Sequence, residues 1–114
     1  MMVASMFANS MSAEEALTVI DGVLGNEQLL NNVQVTVFLK SWQGLSYSEI
    51  AEISNYDTLY IKFVGFKLWQ LLSRLLGCKV TKNNIHSVLR KYSNWTYATG
   101  ATTRGTFLPK SEIS

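Results

Sequence analysis

Thr58, Tyr60, Lys62, Phe63 and Lys67 bring two ammonium groups, two hydroxyls and two aromatic rings into one short stretch of chain. Those groups suit contact rather than bond-making. Ammonium groups neutralise phosphates, hydroxyls hydrogen-bond to them, and rings meet thymine methyls. Lys79 and Lys82 follow closely, then Arg90 and Lys91, and could touch flanking backbone. Reaction chemistry has little to build on. His86 is the only histidine and Cys78 the only cysteine, and neither has a second ligand at metal-binding spacing. A Cys–His nucleophile pair is formally available, but a buried cysteine beside a helix cap is the plainer reading. Glu14 and Glu15 suit the first turn of a helix, where they complement its dipole. No glycine-rich phosphate loop is present. The expectation is a protein without catalytic residues, metal or cofactor.

The elements that position these groups are legible. Ser46 and Glu49 have capping-box spacing and open a short helix, expected over about Tyr47 to Ser54. Ile50, Ala51 and Ile53 supply its packing face, and the small Ala51 suits a helix crossing. Asn55 can take the left-handed conformation of a sharp turn, and Asp57 can cap the next helix. That helix should run from about Thr58 to Leu76 and stop at Gly77. Two helices joined in this way form a helix-turn-helix, which makes duplex DNA the leading partner.

Placed on a wheel, the long helix buries Ile61, Val64, Gly65, Leu68, Leu71, Leu72 and Leu75. Its opposite face carries Leu59, Phe63, Phe66, Lys67, Gln70, Ser73 and Arg74, flanked by Tyr60 and Lys62. Lys62 and Lys67 fit a DNA groove. Leu59, Phe63 and Phe66 admit three readings: they pack under the first helix or a terminal segment, they touch thymine methyls, or they form a self-association or partner surface. Mid-helix Gly65 implies the close approach of a neighbouring helix. Trp69 and Trp42 read as core, Trp69 with its indole N–H reaching a surface partner.

The rest of the chain supports these elements. Ser12 and Glu15 form another capping box, opening a helix to about Leu24. A second helix runs from about Asn31 or Asn32 to Trp42, despite the β-branched stretch Val33 to Val37, because nothing else in the chain reads as a strand to pair with it. Thr81 or Asn83 opens a fifth helix to about Tyr92. Residues 1–11 read as a leader and 93–114 as a tail or linker, with Trp95 and Tyr97 lacking helical context. The expected architecture is all-α, one compact domain of about five helices over residues 12–92.

Composition agrees. The 114 residues suffice for one modest core. No apolar run approaches the ~18–20 residues of a membrane span. No secretory signal is evident, and a lone cysteine fits a reducing compartment, so a cytoplasmic location is expected. Charge is uneven: four acids against one base before Ser46, net −3, and seven bases against three acids from Ser46 to Tyr92, net +4. The helix-turn-helix half is the basic half, the direction expected of a DNA binder.

The run from Trp42 to Leu72 resembles region 4 of bacterial sigma factors, where a glutamine-bearing helix precedes a Gly-Leu-Ser-Tyr-x-Glu-Ile-Ala helix. A longer stretch, Glu14 to Tyr92, resembles the N-terminal helix-turn-helix domain of large cyanobacterial signalling ATPases, the vWA–MoxR-associated proteins. The matching residues include Trp42-Gln43-Gly44, Ser46 to Glu52, Tyr60-Ile61-Lys62, Val64-Gly65, Leu68-Trp69, Leu71-Leu72-Ser73, Leu76-Gly77 and Lys79 to Asn83. The resemblance implies a helical domain working beside an NTPase or similar module. It also implies a second functional class: an adaptor that recruits or oligomerises a signalling ATPase through Leu59, Phe63 and Phe66.

Overall fold

The computed structural model describes residues 11–25 and 30–99. Residues 1–10 of the expected leader, 100–114 of the expected tail, and the side chains of Trp95 and Tyr97 lie outside that description. Five helices follow in order: α1 (Ala13–Leu24), α2 (Asn32–Trp42), α3 (Tyr47–Ser54), α4 (Thr58–Leu76) and α5 (Ile85–Thr99). The protein is all-α.

Each of the first four helices begins where a side chain can satisfy its orphan amides. Ser12 and Glu15, Asn31 and Gln34, and Ser46 and Glu49 form reciprocal capping boxes with bonds of 2.8–3.1 Å. Asp57 caps α4 through the Leu59 amide at 2.9 Å. The box at Asn31 and Gln34 explains why Val33 to Val37 is helical. It starts a helix locally, and Val37 and Phe38 then face the core with no accessible surface. The turn into α5 is held the same way, Thr81 and Asn84 exchanging side-chain and backbone bonds at 2.8 and 3.1 Å.

α4 is the central strut. It packs against α1, α2 and α3, while α2 also packs on α1 and α3, and α5 closes against α1. Ile20, Leu24, Phe38, Ile50, Ile61, Leu68, Leu72, Leu76, Ile85 and Leu89 fill the interior. Burying each such side chain stabilises the fold by about 1.5–3 kcal/mol. Three aromatic rings run through the centre, with Phe38 6.0 Å from Trp42 and 6.4 Å from Trp69. Trp42 donates its indole N–H to the Met11 carbonyl at 2.9 Å, tying the start of the domain to the end of α2. Its ring also lies 3.8 Å from the exposed His86 imidazole.

Three expectations need correction. Ile53 is exposed instead of joining Ile50 and Ala51, because it lies about 160° round α3 from Ala51. Leu75 is only half-buried, and Leu76 and Trp69 complete the buried stripe of α4 in its place. The last helix continues past Tyr92 to Thr99. Ser93 to Thr99 is polar but contains no glycine or proline, so nothing in it interrupts the ladder before Gly100.

Candidate nucleic-acid interface

The helix-turn-helix is built from α3, a three-residue turn and α4. Ala51 is buried at the crossing. Asn55 takes the left-handed conformation, φ 66° and ψ 35°, and the Tyr56 amide donates to the Ala51 carbonyl at 3.0 Å. Asn55 is the one non-glycine residue with positive φ among those described. Asparagine tolerates that region better than other side chains, so the sharp turn costs little there.

The mutual position of α3 and α4 is fixed by one cluster. The Tyr47 ring lies across Gly65, where a Cβ would come within 2.8 Å of the ring and hydroxyl. The same hydroxyl accepts the Trp69 indole N–H at 2.8 Å. Above the ring sits the Lys82 ammonium, 5.4 Å from its centre. The close approach implied by Gly65 is therefore made by an aromatic side chain of α3 rather than by helix backbone. Ser73 holds the following segment to α4. Its hydroxyl donates to the Trp69 carbonyl at 2.8 Å and accepts from the Val80 amide at 2.7 Å.

This frame turns a distinct set of side chains outward. Leu59 is 72% exposed, Phe63 58%, Phe66 59% and Ile53 58%. Tyr56 and Tyr60 are also exposed, their rings 5.2 Å apart. Among the described residues no element covers Phe63 or Phe66, so the first helix does not bury them. Lys62 and Lys67 stand exposed on the same helix, and the Lys67 ammonium lies 5.7 Å from the Phe63 ring centre. Thr58, the first residue of α4, is half-buried. Tyr60, Lys62, Phe63 and Lys67 are thus exposed on α4, whereas Thr58 lies on the side of its buried stripe.

The loop cations are arranged differently. Lys79, with Arg74, borders an open hollow of about 760 Å³ floored by Phe66, Trp69 and Val80. Lys82 is half-buried and engaged with Tyr47. Both sit beside the middle and end of α4. Arg90 and Lys91 are exposed on α5. Ile53 and Tyr56 are further exposed hydrophobic residues, Tyr56 beside Tyr60, and are absent from the sequence-based candidates. The spacing of Tyr56 and Tyr60, four residues apart across the cap, is the signal that could have found the second of these.

Cys78 is half-buried at the edge of the hollow. Burial pushes its thiol above the ordinary value, and nearby Lys91 pulls weakly the other way. A group held protonated in this way is a poor nucleophile. Among the described residues no cluster of His, Cys, Asp and Glu could hold a metal ion, and no helix is long and apolar enough to cross a membrane.

The block from Met11, which anchors Trp42, to the buried Tyr92 is also the block that matches a known family. The family model for the vWA-MoxR associated protein N-terminal HTH covers residues 11–92. The chain belongs to this family. No curated protein matches the vWA-MoxR associated HTH chain, and no solved structure does. In this HTH domain the second helix of the motif presents Leu59, Lys62, Phe63, Phe66 and Lys67 to solvent.

Proposed function

We propose that this domain is a regulatory, non-catalytic DNA-binding module of the cytoplasm that lays the N-terminal half of α4 in the major groove of duplex DNA. Thr58, Tyr60, Lys62, Phe63 and Lys67 make the groove and phosphate contacts, with Lys79 and Lys82 touching flanking backbone. The observation that carries this reading is the outward half of α4 itself. Lys62 and Lys67 are exposed there, and the helix from Thr58 to Leu76 contains no acidic residue. A helix entering a groove walled by phosphates needs that charge pattern.

The test is a salt titration of duplex affinity. Each phosphate neutralised contributes a slope of about −0.9 in log K against log salt. A chain with no affinity for any duplex at low salt would remove this reading.

A second reading is supported by the exposure of Leu59, Phe63 and Phe66 beside Ile53, Tyr56 and Tyr60. Apolar surface of that extent commonly marks protein interfaces. In this reading the domain is an adaptor that self-associates or engages the ATPase of a vWA–MoxR system through the same ridge. Sedimentation of the wild-type chain tests it: a monomer at high concentration argues against self-association.

A further inference from the structure

Leu59, Phe63 and Phe66 follow one another at i, i+4 and i+7 and form an exposed apolar ridge along α4. Lys62 and Lys67 straddle it, each about 70° round the helix from the crest at 100° per residue. A helix seated in the major groove meets that disposition: base edges ahead, a wall of phosphates on either side.

The ridge also limits what can be read. From Thr58 to Leu68 the helix contains no Asn or Gln to identify adenine, and its guanine-reading groups are confined to Lys62 and Lys67 on the flanks, which leaves the crest itself apolar. One group on the major-groove floor is apolar, the C5-methyl of thymine. We infer that Leu59, Phe63 and Phe66 read thymine methyl groups, so that the DNA taken by this domain is a short thymine-rich tract of A·T pairs. The inference rests on the duplex-DNA reading above and adds the base class. Leu59 and Phe66 are seven residues apart, about 10 Å along the axis. That distance is about three base-pair steps at 3.4 Å each.

Deoxyuridine supplies the test, because it pairs with adenine like thymidine and lacks only the methyl. The full chain is titrated at low salt with a duplex carrying a central A·T tract and with the same duplex bearing deoxyuridine throughout the tract. Affinity should fall about fourfold for each contacted methyl removed. In the Leu59→Ala, Phe63→Ala variant, which keeps Phe66, the thymine-to-uracil ratio should shrink to about fourfold, the share of one contacted methyl. Circular dichroism of that variant checks that the helices persist.

Equal affinity of the wild-type chain for both duplexes overturns the methyl reading and leaves DNA binding standing. A ratio undiminished in the double variant assigns the discrimination to duplex shape and also overturns it. Absence of affinity for every duplex, with the helices intact, overturns DNA binding and this inference together. A wild-type dimer lost in the double variant, again without duplex affinity, would make the ridge a protein interface.

Discussion

At the scale of single residues, Gly65 and Tyr47 make the sharpest prediction. Glycine in a helix interior costs about 1 kcal/mol relative to alanine. Yet a Cβ at position 65 would collide with the Tyr47 ring, whose hydroxyl is held by Trp69. Gly65→Ala should therefore destabilise the domain, by about 1–3 kcal/mol as overpacking does. In a Tyr47→Ala background the collision is gone, and the same substitution should stabilise by up to about 1 kcal/mol. Urea melts of the four chains in this cycle would show the reversal of sign, and two destabilisations that simply add would refute it.

Ser46 offers a simpler case. Ser46→Ala strands the Glu49 amide and should cost about 0.5–2 kcal/mol in a thermal melt. Cys78 and Tyr92 give a pH dependence. Burial raises both above their ordinary values. The folded chain then holds these protons more tightly than the unfolded one. Their contribution to stability is complete below the unfolded values, about 8.5 for a thiol and 10 for a phenol. It is lost as pH rises through the folded values. Stability measured against pH should decline on the alkaline side from these two groups.

At the scale of elements, α4 has two jobs that its two faces divide. The inner face, from Ile61 to Leu76, is the spine of the core. The outer face presents Leu59, Phe63 and Phe66 with their flanking lysines. Because Phe63 and Phe66 are exposed, Phe63→Asp with Phe66→Asp should leave the fold within about 0.5 kcal/mol of wild type, as surface changes usually do. Carboxylates placed there stay hydrated. Duplex affinity should fall, since two negative charges would face phosphates. Circular dichroism and a binding titration on this variant check both halves, and unfolding would mean that the rings are covered after all. Sedimentation of the same variant reports on self-association through the ridge.

At the scale of the whole molecule, charge is separated along the chain, net −3 before Ser46 and +4 from there to Tyr92. The basic half contains α3, α4 and the first part of α5. Duplex binding should accordingly weaken steeply with ionic strength. Lys62→Ala and Lys67→Ala should each flatten the slope by about 0.9 if each lysine neutralises one phosphate. An unchanged slope in both variants would place the phosphate contacts elsewhere, with Lys79 and Lys82 the next residues to substitute.

What could be read from sequence followed from short-range physics. Capping boxes at Ser12 and Ser46, the turn at Asn55 and Asp57, and the stop at Gly77 involve partners within a few positions, so three helices could be placed from residue types alone. The inward stripe of α4 was equally legible, because a period of 3.6 residues is a local property. The polar end of α5 misled for the same reason. Its composition resembles a tail, while its helicity depends on the absence of a breaker and on what precedes it.

Tertiary structure decided what periodicity leaves open: which of the outward groups another element covers. Phe63 and Phe66 could have been buried or bare on identical local grounds. Only the arrangement of α1, α2 and α3 around the opposite side of α4 leaves them in solvent. The partner of Gly65 was likewise undetermined until α3 placed Tyr47 across it. A wheel gives each residue a direction around its own axis, but whether that direction meets protein or water is set by segments distant in the chain, through packing that local propensity does not encode.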